Sequence, residues 1–511
     1  MKYIYILLVL AATASSCKKD FIDLEPKDSY SAGTFFQNEE QLRQGVTAAY
    51  VPLRDLLIND FYTSEMRSDN TIYQPYPSNR GTAYTYKESL SDFTDNPTNS
   101  YSNAVYFHCY KGISRANIVI ERIADITLSP EAKADIDGQA KFIRAWNYFK
   151  LVRLFGGVPL FLKEVTKADE AFLPRATVEE VYAQIIADAK DAVAQLMPPA
   201  KFPQSGQATK GSATMLLAEV YATQKKWADA ETLLNTLPAM GYALNANYAN
   251  AFSTANKNSR ESLFEVQYMG GTAVGTAPNN FIYQFLPRTS STTLITGTAT
   301  NNSSTGGWNT PTQDLIDSYE ENDKRLDASI AIAEGTYNTS DLLVISANKS
   351  VVNYTPAAGK IGVPYIKKYL NLPHAAPNNA DDNWPVYRYA DALLLLAEVQ
   401  NEQGKSPAEA LNAVRTRAGL PATTESSQIA LRDIIAHERR IELAFENHRW
   451  NDLQRTGKAI DVMNAFGSKL KQQVDYLSPD AYQVTQNRLL YPIPQSEREL
   501  DPSLVQNPGY F

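Results

Sequence analysis

The chain has 511 residues, of which 44% are hydrophobic and 20% charged, and its formal net charge is −8. That is enough apolar material for a large buried core, while 48 Lys+Arg against 56 Asp+Glu leave no basic excess for a nucleic-acid surface. Only two cysteines are present, Cys17 and Cys109, and with Cys17 assigned below to a lipid no intrachain disulfide can form.

Residues 1–16 read as a lipoprotein signal peptide: Lys2 supplies the positive start, Ile4 to Ala12 the apolar run, and Thr13-Ala14-Ser15-Ser16 the small residues before Cys17. The apolar run is less than half the roughly twenty residues a membrane span needs. Cleavage before Cys17 leaves that cysteine as the lipid anchor and 17–33 as a tether. Helical patterning starts near Asn38, with Leu42, Val46, Tyr50 and Leu53 in phase. It lapses over 66–103, a stretch of Ser, Asn, Pro and Tyr that reads as a long loop region with a few short elements. From Tyr106 it returns and strengthens over 138–155, where Phe142, Trp146, Phe149 and Val152 share a face until Gly156-Gly157 and Pro159 stop the helix. Thr177 and Glu180 form a capping-box pattern for the next helix, which Pro198-Pro199 ends.

Leu216-Leu217-Ala218-Glu219-Val220 recurs as Leu395-Leu396-Ala397-Glu398-Val399, and each copy is followed by a polar turn and a second amphipathic helix. Paired helices with small residues at the crossing are the tetratricopeptide-like arrangement, in which neighbours bury each other's faces. Between the copies, 270–310 is rich in Gly, Thr, Ser and Asn, and 335–385 mixes β-favouring runs with Pro and Asn. The expected fold is therefore mostly α: one body over 34–511, built of tetratricopeptide-like helix-turn-helix pairs in an α-α superhelix. Its scaffold covers mainly 34–65, 104–265 and 385–460, with an inserted loop-rich subdomain carrying short strands. Residues 66–103 and 270–385 form the ligand-facing loops, and 461–511 a C-terminal segment.

No catalytic centre is evident. His437-Glu438 begins like H-E-x-x-H, but Ile441 stands where the second histidine is required, and no phosphate-cradling or dinucleotide loop occurs. No metal or cofactor is called for. The run Glu438-Arg439-Arg440, Glu442, Glu446, Arg449 and Asp452 has acids and guanidinium groups three and four residues apart. Such spacing on one helix pairs charges along its face and onto neighbouring helices, with Phe445 and Trp450 buried, and is architecture.

Several segments in order resemble the RagB/SusD family of surface nutrient-binding lipoproteins of Bacteroidetes. They are Phe142 to Trp146 with Leu151 to Pro159, Tyr387 to Asp391, Ala413 to Leu420, Glu438 to Arg455, Tyr491 to Pro494 and Gln506 to Tyr510. The resemblance implies four tetratricopeptide-like helix pairs, no catalysis, and an outer-membrane, cell-surface location as a lid over a SusC-like TonB-dependent transporter. The lid would capture oligosaccharides, or in some members oligopeptides, for uptake; a surface glycoside hydrolase is the remaining alternative. Family members commonly carry Ser-Asp-Asn near the first loop region, here Ser68-Asp69-Asn70, so Asp69 and Asn70 either meet ligand hydroxyls or cap a turn. Tyr73, Tyr76, Tyr84, Tyr86, Tyr283 and Trp308 are the rings expected to stack on the ligand.

Overall fold

The computed structural model describes residues 35–76 and 81–510; the segments expected to be a signal peptide and tether, with Cys17, lie outside the described residues. Helices of seven residues or more are numbered α1 to α12 here. The first, α1 (Glu39–Leu57), starts where the Asn38 side chain accepts from the Gln41 amide and Glu39 and Glu40 face the positive helix end.

Residues expected to loop contain α2 (Thr82–Asp92), and α3 (Ser100–Arg122) begins a turn earlier than its apolar phase, because Asn99 accepts from the Tyr101 and Ser102 amides. Likewise α4 (Pro130–Phe155) extends two turns ahead of its apolar face: Ser129 caps it, and Pro130 stands in the first turn, where no amide is needed. Its C-terminal cap is Gly156, at φ +75. Gly157 follows because a Cβ there would lie 2.2 Å from the Ala176 carbonyl oxygen. α5 (Val178–Gln195) opens on the Thr177–Glu180 capping box expected from sequence.

The two Leu-Leu-Ala-Glu-Val copies lie in α6 (Lys210–Thr223) and α8 (Tyr389–Glu402), which pair with α7 (Trp227–Leu234) and α9 (Ala408–Ala418) as helix-turn-helix units. Neighbours pack in the order α1, α3, α4, α5, α6, α7, α8, so one curved layer of helices shares a core. α10 (Gln428–Glu442), α11 (Arg449–Arg455) and α12 (Ala459–Gln473) complete the scaffold, α10 packing on α8.

The insertion leaves the helical layer on β2 (Ser262–Val266) and returns on β7 (Trp384–Arg388). These pair antiparallel with Ser262 opposite Arg388 and Val266 opposite Trp384, which ties the two ends of the insertion together. Inside it, β4 (Ile330–Tyr337) runs between β5 (Leu343–Ser350) and β6 (Ile361–Ile366) in an antiparallel sheet. Ile282, Tyr283, Leu286, Ala333, Leu343 and Tyr365 belong to a separate apolar cluster there. The insertion is thus less loop-dominated than its composition suggests, since β4 and β5 each reach eight residues. Of the described residues, no helix is long and apolar enough to cross a membrane.

Candidate ligand-binding site

The charge run of residues 438–452 does not lie on one helix. Between α10 and α11 the chain turns through Phe445 and Asn447, both at positive φ (69 and 67). The turn is held by the Glu65 carboxylate, which accepts from the Phe445 and Asn447 amides at 2.9 and 3.0 Å, and by Lys368, which donates to the Ala444 carbonyl at 2.7 Å. Burial raises the Glu65 pKa, against these hydrogen bonds.

Around the turn, Arg388 pairs with Glu261, Glu442 and Glu446, Arg325 with Asp323, Glu438 and Glu442, and Arg417 with Glu261 and Glu442. Phe445 and Trp450 are fully buried. Interior ion pairs of this kind hold only with near-complete hydrogen bonding, and here they lock the insertion and α9 onto α10.

The same helices pin the segment that carries the first candidate residues. Arg449 grips Asp69 with Nε and Nη2 at 2.8 and 2.9 Å, and Arg440 Nη2 adds a third contact at 3.1 Å. Burial raises the Asp69 pKa, but the two guanidinium groups outweigh it and hold the group below its ordinary value. Asn70 donates to Glu65 Oε1 and accepts from Arg440 Nε, both at 2.9 Å. The expectation that Asp69 and Asn70 meet ligand hydroxyls is therefore corrected: both are buried and their side chains are engaged with the scaffold.

Beyond them the chain runs beside residues 307–312. β1 (Thr71–Ile72) pairs antiparallel with β3 (Thr310–Pro311), and the Gln74 amide donates to the Gly307 carbonyl at 2.7 Å. This ladder sets Trp308 against Tyr73 (ring centroids 6.3 Å apart) and Tyr76 (5.8 Å). α2 then lays Tyr84 nearly parallel to the indole, at 6.3 Å and 13°, with Tyr76 4.1 Å from Tyr84. Tyr62 meets the indole edge-on at 5.6 Å and joins Tyr101 at 5.0 Å.

Three turns of α2 also carry Lys87, whose ammonium sits 4.6 Å from the Trp308 ring, 4.8 Å from Tyr62 and 5.3 Å from Tyr101. Rings pack offset or edge-to-face and attract cations to their faces, which accounts for this assembly. Trp308 itself is fully buried and its indole N–H has no hydrogen-bond partner, so it is the base of the cluster and offers no open face. Tyr84, Tyr101 and Lys87 are half-buried and form the outer surface. Burial pushes the Tyr101 hydroxyl up to about 12 and raises Tyr76 further, so these groups stay protonated donors near neutrality.

The other two candidates stand apart. The Tyr283 hydroxyl is 2.8 Å from Thr298 Oγ1 and 2.9 Å from His374 Nδ1, and its buried ring belongs to the core of the insertion. Tyr86 shares a 2.8 Å hydrogen bond with Thr98 on the far flank of α2. Tyr62, Tyr101 and Lys87 were missed from sequence because nothing local marks them; they are recognised only by what they touch. A groove of about 380 Å³ beside α3 exposes Phe107 and Phe172; of its polar groups Asn117 and Tyr110 are spent on backbone carbonyls, while Lys163, Glu497 and Asp501 also line it. The aromatic cluster is the better candidate for a hydroxyl-rich ligand.

A layer of paired helices carrying a stapled insertion defines a helical-repeat protein of the tetratricopeptide-like kind. The comparisons give the family. The family model described as "SusD family" matches residues 239–510, and the one described as "Starch-binding associating with outer membrane" matches 20–222. The chain belongs to the SusD family. SusD-like protein P2 of Formosa agariphila is 29% identical over the full length of both chains, and SusD-like protein P38 of the same organism is 28% identical over 99% of this chain and 98% of its own. A solved structure titled "Laminarin binding SusD-like protein" superposes with a TM-score of 0.73 at 27% identity, covering 93% of this chain and all of the other.

Proposed function

We propose that this protein is a non-catalytic lipoprotein that binds oligosaccharides at the cell surface and passes them to a SusC-like TonB-dependent transporter in the outer membrane, tethered there by a lipid on Cys17. The observation that carries the reading is the aromatic face itself: the half-buried Tyr84 and Tyr101 present ring surface and phenolic hydroxyls together, over a buried base of Tyr76 and Trp308. Sugars need both, since their C–H faces stack on rings and their hydroxyls seek hydrogen bonds. The family description names starch binding and the outer membrane, and a solved relative is titled as laminarin binding, which supports a glycan as the ligand class. Weak single-site binding suffices, because tethering beside a transporter raises the effective concentration.

Calorimetric titration of residues 18–511 with a panel of oligosaccharides and peptide digests tests this. Micromolar to millimolar binding to a glycan, lowered about tenfold by Tyr84→Ala or Tyr101→Ala, is the expected result, tenfold corresponding to about 1.4 kcal/mol. Silence across the glycan panel overturns it, binding to peptides alone replaces sugar with oligopeptide, and release of shortened product makes the protein a hydrolase.

A further inference from the structure

Two cations stand at the aromatic face with no carboxylate paired to them among the described residues. Among the described residues, Lys87 has no ion pair; its ammonium is surrounded by the Trp308, Tyr62 and Tyr101 rings at 4.6 to 5.3 Å. On the other side of Tyr76, the Arg288 guanidinium lies 4.0 Å from that ring and donates to the Ser303 and Pro75 carbonyls, with no ion pair among the described residues. The acids of α2, Glu88 and Asp92, lie on its buried side toward Tyr73 and Tyr476.

A half-desolvated ammonium facing only ring quadrupoles has lost much of its hydration and gained no counter-charge. Elsewhere in this protein buried cations are matched to carboxylates, as Arg388 and Arg325 show. We propose that the aromatic face selects anionic glycans, with Lys87 pairing with a carboxylate or sulfate on a sugar stacked against Tyr84 and Tyr101, and Arg288 reinforcing the positive potential. This specificity rests on the glycan-binding reading above. Burial lowers Lys87 only to about 8, so the ammonium is still charged at neutral pH.

The test compares oligosaccharides of equal length on the protein from residue 18 onward at low salt: neutral laminarin fragments, oligogalacturonates, sulfated galactan fragments, and a poly-glutamate peptide. The expected result is at least tenfold tighter binding of an acidic sugar than of the neutral one, and the stronger acidic arm tells carboxylate from sulfate. Lys87→Gln should bring acidic and neutral sugars within about threefold of each other, and Lys87→Arg should keep the preference. Thermal unfolding of both variants controls for folding. Equal affinity for neutral and acidic sugars overturns the proposal but leaves glycan binding standing, as does a preference that survives Lys87→Gln. Binding of poly-glutamate as tight as the acidic sugar also overturns it, since charge alone would then suffice. If no sugar binds at all, both readings fail together.

Discussion

At the residue scale, Glu442 is the side chain on which most of the interior charge converges, accepting from Arg388, Arg417 and Arg325. Burial pushes its carboxyl up, but the three guanidinium groups outweigh that and bring it down to about 2. With the folded value below the unfolded one of about 4.3, its contribution is present above pH 4 and is lost as pH falls toward 2. Glu442→Gln leaves three buried cations undercompensated, and a loss of about 3–5 kcal/mol is expected in urea unfolding at pH 7.

Asp382 behaves in the opposite sense. Burial raises it to about 7, with one oxygen accepting from Asn371 Nδ2 at 2.6 Å and the other unpartnered. Here the folded value is the higher one, so the stability present at acid pH is lost as pH rises from about 4 through 7. Asp382→Asn should therefore raise the unfolding midpoint at pH 8 and leave it nearly unchanged at pH 4.

At the scale of elements, caps and glycines decide where helices stop. The Thr177–Glu180 box and the Gly156-Gly157 stop were legible because each acts within a few residues of its own chain. α2 was not legible: Tyr84, Lys87, Glu88 and Leu90 do not form an apolar stripe, and the helix is held by rings from other segments. The break between α10 and α11 was hidden for a similar reason, since charges continue in phase across a turn that Glu65 imposes from far away in sequence. Gly157→Ala tests the element-level argument. Its methyl would meet the Ala176 carbonyl oxygen at 2.2 Å, and a destabilisation of about 1–3 kcal/mol by thermal or urea unfolding is the expected cost of the shift.

At the scale of the whole molecule, Trp308 joins the insertion to the first loop region. It is fully buried among Tyr62, Tyr73, Tyr76 and Tyr84, which all precede it by more than two hundred residues. Trp308→Ala should cost about 3–5 kcal/mol, as truncating a buried large ring does. Hydrogen exchange is expected to show protection falling first in α2, while α4 in the centre of the helical layer keeps it. Uniform loss of protection would mean that the cluster is part of the global core rather than a separable binding face.

The amino-acid sequence by itself determined the helical class, the paired repeats and the family, because helical period, caps and motif order are local properties of the chain. It also named Tyr73, Tyr76, Tyr84 and Trp308, which the fold does bring together. Only the tertiary structure decided that Asp69 and Asn70 serve the scaffold, that Tyr283 belongs to another core, and that Lys87 stands among rings. Each of those roles is set by a partner from a distant segment, and burial and pairing energies depend on which partner arrives, a matter that spacing along the chain does not encode.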